Sequence, residues 1–133
     1  MLAQLIINDL AIISKLSLDF ESGMTVLTGE TGAGKSILLD ALGLILGDRA
    51  DTNIIRGNSE KTDITAIFLI KNNTAVSEKL KSTEIESNND ELFIRRTIRK
   101  DGRSRAYINN TPVPIQTLRD IGEHLIEIHG QHA

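Results

Sequence analysis

The chain has 133 residues, enough for one compact domain but not for two. Hydrophobic residues make up 40% and charged residues 25%, which is typical of globular proteins, and the net charge of -3 does not by itself indicate a nucleic-acid-binding protein. Cysteine is absent, which excludes disulfides and thiolate metal sites and fits a reducing, cytosolic setting, and no apolar run approaches the roughly 20 residues that span a membrane.

The pattern of apolar and polar residues predicts a chain that mixes strands and helices. In chain order the predicted elements are strands at 3–8, 11–20 and 24–28, a helix at 36–46, a strand at 63–70, a short helix at 75–81, strands at 92–98 and 104–108, a helix at 115–122 and a strand at 124–128. Polar loops are expected at 48–61 and 82–90. Antiparallel hairpins together with a strand–loop–helix unit indicate an α/β fold with mixed sheets.

Single residues set several of these predicted boundaries. Asp101-Gly102 lies between two β-rich runs, which is a strong hairpin signal. Gly47 is a good helix stop after residues 36–46. That helix is so rich in leucine and isoleucine that we expect most of its circumference to be buried.

One motif carries chemistry, and it follows the predicted strand at 24–28. It matches the G-x-x-x-x-G-K-[ST] pattern at every fixed position and consists of Gly29, Glu30, Thr31, Gly32, Ala33, Gly34, Lys35 and Ser36. The glycines let the backbone turn so that successive N–H groups surround phosphate oxygens, and the following helix adds its positive N-terminal end. Lys35 supplies a charge for the β- and γ-phosphates, and the Ser36 hydroxyl can bind Mg²⁺. The motif alone does not separate ATPases from GTPases and kinases.

The segment LIINDLAIISKLSLDFESGMTVLTGETGAGKSILLD resembles the start of the ATPase heads of the structural-maintenance-of-chromosomes (SMC) class, which belong to the ABC-type P-loop ATPases. Together with LGDRAD, DGRSRAYINN and EIHGQHA, it is similar to a bacterial DNA-repair branch of that class. The resemblance covers essentially the whole chain.

This resemblance implies that residues 1–133 are the N-terminal lobe of a head whose C-terminal lobe is reached through a coiled coil. ATP and Mg²⁺ would be held between two heads of a homodimer acting in DNA double-strand break repair and recombination, in the cytoplasm and at the nucleoid. No Walker B strand, signature motif or heptad run is present in the sequence. We therefore expect no catalytic residue in this chain alone, and an exposed lobe surface on which it could self-associate.

By the same resemblance, Gln131 in EIHGQHA would contact Mg²⁺ and the attacking water from the end of the predicted strand 124–128. The alternative for Gln131 is a frayed polar segment. His129 and His132 flank it, but two histidines without a third ligand are a weak metal signal. His124 is expected to be structural.

Arginines provide the remaining candidates. Arg56 lies near a position at which related heads carry an arginine that senses DNA or faces the partner's nucleotide, but its spacing from Lys35 is one residue longer than in those heads. A solvated loop arginine is an equal alternative. Six cations surround the predicted hairpin and could contact a DNA backbone, or simply be solvated: Arg95, Arg96, Arg99, Lys100, Arg103 and Arg105. With Arg56, Arg103 and Arg105 are candidates for contact with DNA or with a partner head.

Two other classes of function remain open. A complete small P-loop enzyme such as a kinase would need an acidic metal ligand after an apolar strand, and neither residues 64–70 nor 124–128 lead into one. A non-enzymatic interaction module would use the exposed lobe surface alone.

Overall fold

The computed structural model describes residues 2–20, 32–71, 73–85 and 90–129, and of residues 32–35 and 126–129 it describes only the backbone. In these ranges the chain forms a six-stranded sheet with helices packed on one face. The elements are β1 (Leu2–Leu10), β2 (Ile13–Asp19), α1 (Gly32–Ile45), a 3-10 helix (Thr52–Ile54), β3 (Lys61–Leu69), α2 (Thr74–Ser82), β4 (Glu91–Arg99), β5 (Ser104–Ile108), β6 (Thr111–Val113) and α3 (Ile115–His129).

The strand order is β2-β1-β3-β4-β5-β6, and each neighbouring pair is antiparallel. The predicted hairpin at Asp101-Gly102 is confirmed, since Gly102 has a φ of 94° and the Arg99 N–H donates to the Arg103 carbonyl at 2.8 Å. The predicted strand at 24–28 lies outside the described residues, so the expected mixture of parallel and antiparallel pairs stays a prediction.

Alternation along the strands gives the sheet a buried face and an open face. On β4 the side chains of Leu92, Ile94, Arg96 and Ile98 are buried. Among the described residues, the helices contribute nine buried side chains to this core: Leu38, Ala41, Leu44 and Ile45 of α1, Val76 and Leu80 of α2, and Leu118, Ile121 and Leu125 of α3. The other face carries the residues that alternate with the buried ones on β3, β4 and β5.

The last part of the chain differs from the prediction. We expected a helix ending at Gly122 and a strand at 124–128, but α3 runs without a break from Ile115 to His129. Gly122 is buried where α3 meets the end of α1, and a Cβ there would lie 2.7 Å from the Leu46 carbonyl oxygen. This glycine permits a close approach of two backbones; it does not end a helix. The apolar positions Leu118, Ile121 and Leu125 keep one face of α3 on the core beyond it.

The end of α1 is a Schellman turn, as the position of Gly47 indicated. Gly47 has a φ of 103°, its N–H donates to the Leu44 carbonyl at 3.2 Å, and the Asp48 N–H donates to the Gly43 carbonyl at 2.9 Å. A Cβ on Gly47 would lie 2.9 Å from the Arg119 Cα, so this turn also packs closely against α3.

Candidate nucleotide site and basic face

The second half of the phosphate-binding motif forms the beginning of α1. Gly32, Ala33, Gly34, Lys35 and Ser36 are the first five residues of the helix, which starts four residues earlier than the expected 36. The first N–H groups of a helix have no partner within it and face its N-terminal end, where the dipole favours an anion. The backbone therefore offers donors where the motif predicts phosphate. The first three motif residues, Gly29, Glu30 and Thr31, lie outside the described residues.

The apolar side chains of α1 differ in how far they are buried. Leu38, Ala41, Leu44 and Ile45 face the core, but the side chain of Leu39 is 69% exposed. Leu42 and Leu46 are partly buried against the same core, so the expected burial on most sides holds for the apolar residues of this segment apart from Leu39. Leu39 lies about two turns from the start of the phosphate-binding helix.

The residues expected to complete a metal site are only partly described. Gln131 and His132 lie outside the described residues, and the segment before them is α3, so the premise that Gln131 ends a strand is wrong. His124 lies on α3, half-buried, and its Nδ1 is buried without a hydrogen-bond partner among the described atoms. Within the described ranges no three His, Asp or Glu side chains form a group that could hold a metal ion.

Arg56 lies in an exposed loop that is held to two other parts of the chain. Its backbone N–H donates to the Asp9 carbonyl at 2.9 Å, beside the β1–β2 turn. One residue further along, the Gly57 carbonyl accepts from Lys100 Nζ at 3.3 Å, and the Glu60 carbonyl accepts from the Lys100 N–H at 2.8 Å. Arg56 is therefore at the same end of the sheet as the β4–β5 hairpin.

Cationic side chains line a depression of about 280 Å³ on the open face of the sheet. We call this surface the basic face. It consists of Lys61, Arg95, Thr97, Arg99, Arg103, Arg105 and Tyr107. Four of the six cations predicted to cluster lie on this surface, and Arg96 and Lys100 do not line it. Lys61 of the neighbouring strand joins the four, because Lys61 pairs with Arg99 across the β3–β4 ladder.

The carboxylate of Asp63 contacts three residues of this surface. Asp63 Oδ1 accepts from Thr97 Oγ1 at 2.6 Å and from Arg95 Nη2 at 3.1 Å, and Asp63 Oδ2 is 3.5 Å from Lys61 Nζ. Burial alone would raise the pKa of Asp63, but the Thr97 hydrogen bond and the Arg95 and Lys61 charges outweigh it and lower that pKa below its ordinary value. Asp63 is therefore ionised at neutral pH and neutralises part of the basic face.

The two arginines predicted to contact DNA differ in their surroundings. Arg103, at the hairpin, donates from Nη2 at 2.7 Å and from Nε at 2.9 Å to the same Asp101 oxygen, Oδ2. The side-chain and backbone hydrogen bonds from Arg103 lower the pKa of Asp101 to about 2. Arg105 is exposed on β5. Tyr107, next on the same side of that strand, has the Arg95 guanidinium 5.7 Å from its ring centre.

Arg96 does not belong to this surface, although the sequence placed it in the cluster. Its side chain is only 2% exposed and lies on the helix-covered face. Nη1 donates to the Leu44 carbonyl at 2.8 Å and to the Asp48 carbonyl at 2.6 Å, and Nε donates to Ser104 Oγ at 3.1 Å. Ile94 and Ile98, two residues before and two after Arg96 on β4, both face the core. This alternation is the sequence signal that predicts a buried position for Arg96.

Comparisons with known proteins agree with this geometry. The family described as AAA domain matches residues 4–131. Two proteins named DNA repair protein RecN match all of this chain: that of Vibrio cholerae is 50% identical over 133 residues, and that of Haemophilus influenzae 44% identical over 135 residues. The chain spans 24% of the length of each relative.

Solved structures show the same fold. A structure from work on ATP-driven dimerisation and DNA-stimulated activation of SMC ATPases superimposes with a TM-score of 0.69 at 20% identity, covering 94% of this chain and 79% of that one. The predicted α/β fold of an SMC-type P-loop ATPase head is confirmed.

Proposed function

Because this chain belongs to the family of AAA domains, we propose that it is the ATP-binding N-terminal lobe of an SMC-like ATPase that acts in DNA double-strand break repair and recombination. The observation that carries this proposal is a complete phosphate-binding motif whose second half begins α1. The names of the relatives support the role in repair.

The chain's own residues would hold the nucleotide from one side. The N-terminal amides of α1 bind phosphate oxygens, Lys35 neutralises the β- and γ-phosphates, and Ser36 with Gln131 binds Mg²⁺. When bound, the metal ion withdraws charge from the phosphates. A general base and a signature motif are not found in this sequence, so we assign hydrolysis to a longer protein in which this lobe meets a C-terminal lobe and a second head.

DNA is the second proposed partner. The basic face presents five cations at the hairpin end of the sheet, and Arg56 lies at that same end. Phosphate contacts of this kind position a protein on DNA without reading sequence. We assign Arg105 and Arg56 to direct contact with DNA phosphates. Arg103 would contact a phosphate while it remains paired with Asp101.

We place the protein in the cytoplasm, beside chromosomal DNA, because this is where such repair takes place. In the part of the chain that the structure describes, no helix has both the length and the apolar character required to cross a membrane.

The test is a calorimetric titration of ATP-Mg²⁺ into this chain and into its Lys35→Ala variant. Binding that the variant loses would support a phosphate site that this lobe forms unaided. Equal binding by both chains would contradict the assignment of Lys35. Absence of binding in both would favour an interaction module that needs the second lobe to complete its site.

A further inference from the structure

Arg96 joins three parts of the fold at a position with almost no solvent. Its guanidinium donates to the carbonyls of Leu44, in the last turn of α1, and Asp48, just beyond that helix, and to the hydroxyl of Ser104 at the start of β5. Arg119 of α3 approaches the same turn, with Nη2 3.3 Å from the Gly47 carbonyl. The C-terminal end of α1 is therefore held to β4 and β5 through one side chain.

Stability alone is a poor reason for this arrangement. The three hydrogen-bond acceptors are neutral, burial lowers the pKa of Arg96, and the nearby positive charge of Arg119 lowers it further, while Asp48 opposes both. An apolar side chain of similar size can replace a buried charged group with little loss of stability, whereas a guanidinium can fix three separate acceptors in one geometry. The negative end of the α1 dipole adds a favourable interaction at this site.

The position of Arg96 in β4 links it to the basic face. Arg95 is the preceding residue, and its guanidinium lies on the opposite side of the sheet, where it binds Asp63 and lies over Tyr107. A displacement of β4 at Arg95 would therefore also displace the Arg96 guanidinium and the end of α1 that it holds. The other end of this 14-residue helix, about 21 Å away, begins with the second half of the phosphate-binding motif.

Resting on the proposed function, we propose that Arg96 is a positioning residue that couples DNA bound on the basic face to the nucleotide site at the start of α1. It touches neither DNA nor nucleotide. It holds the far end of the phosphate-binding helix to the strand that carries Arg95, so that phosphate contacts on one face of the sheet change the placement of α1 on the other.

The experiment measures ATP hydrolysis by the full-length protein with and without a DNA duplex, for the unmodified protein and for Arg96→Met, Arg96→Lys and Ser104→Ala. Ile98→Val is the matched control, since Ile98 is the next inward residue of β4 and the change removes one buried methylene. The melting temperature of each protein is recorded. We expect Arg96→Met to leave the KM for ATP without DNA within about twofold, and to reduce the stimulation by DNA about fivefold or more.

Arg96→Lys keeps the charge but not the fork of donors, so it should restore little of the stimulation, and Ser104→Ala should lose part of it. Ile98→Val should keep it in full even with a lowered melting temperature. Stimulation by DNA that is unchanged in Arg96→Met and Ser104→Ala overturns the proposal and leaves Arg96 a structural residue. If Arg96→Met does not fold, the proposal is tested by comparing the stimulation by DNA in Ser104→Ala with that in Ile98→Val. An unmodified protein that hydrolyses no ATP, or whose hydrolysis ignores DNA, refutes the proposed function and this inference with it.

Discussion

Arg95 and Arg96 are consecutive residues of β4 whose guanidinium groups lie on opposite faces of the sheet. Arg95 pairs with Asp63 on the open basic face, while Arg96 is buried against the end of α1. Period-two alternation thus divides a run of arginines that looks uniform in sequence into two groups with different chemistry. The exposed group faces solvent, and the buried residue joins β4 and β5 to the end of α1.

Arg105→Ala should weaken binding of duplex DNA and lower the slope of log affinity against log salt by about one, because one phosphate contact is lost. Lys81→Ala on α2 is the control, since Lys81 is exposed and does not line the basic face. Arg103→Ala should have a smaller effect than Arg105→Ala, as Arg103 is already paired with Asp101. The measurement is fluorescence anisotropy over a salt series. Equal losses in Arg105→Ala and Lys81→Ala would count against a localised DNA surface.

Asp63→Asn should destabilise the chain at pH 7 by about 1–2 kcal/mol, because hydrogen bonds to a partly solvated charged group are lost. The pKa of Asp63 is lowered in the folded state, so its contribution is fully present above the ordinary value of 3.8 and disappears as the pH falls through the lowered folded value. Urea unfolding of both proteins from pH 7 to pH 2.5 measures the difference. A difference in unfolding free energy between the two proteins that stays constant over this range would show that the Asp63 charge does not contribute to stability.

Gly122→Ala should destabilise the chain by about 1–3 kcal/mol, although alanine favours helices by about 1 kcal/mol, because the new Cβ would meet a backbone oxygen that cannot rotate away. That oxygen belongs to Leu46 and lies 2.7 Å from the place that the Cβ would occupy. Gly57→Ala is the control, since a Cβ on Gly57 meets nothing within 4 Å. Thermal unfolding followed by circular dichroism compares them. A stabilised Gly122→Ala variant would contradict the close approach of α1 and α3.

Leu39→Ser should leave the stability of the chain within about 0.5 kcal/mol and reduce any self-association, because its side chain is exposed near the nucleotide site. Leu38→Ser, one residue earlier and facing the core, should destabilise the chain strongly. Size-exclusion chromatography combined with urea unfolding separates the two effects. A Leu39→Ser variant that elutes and unfolds like Leu38→Ser would mean that Leu39 is part of the core.

The sequence predicts most of the strands and the phosphate-binding helix because each carries a local signal: alternation, a turn dipeptide or a motif of fixed spacing. The end of α3 was mispredicted because Gly122 has a tertiary role, a close contact with Leu46, that a helix-stop rule cannot anticipate. Arg96 was misplaced for a different reason: the charge cluster was considered without the alternation of β4, which puts Arg96 on the same face as Ile94 and Ile98. Asp63 was not identified as part of the site because its partners, Arg95 and Thr97, are more than thirty residues away in the chain.

The pairing of β1 with β3 also determines the order in which parts of the molecule can form. Leu5 lies opposite Ala66, so the segment between them, which contains the phosphate-binding motif and α1, is a closed loop once these strands pair. The β4–β5–β6 hairpins need only short-range contacts and are expected to form before that loop closes, since non-local pairing is slow. Pulse-labelled hydrogen exchange should then protect β5 amides ahead of the β1 amides that bond to β3, since β1 and β2 form a local hairpin of their own. The nucleotide site would be among the last parts of the chain to assemble during folding.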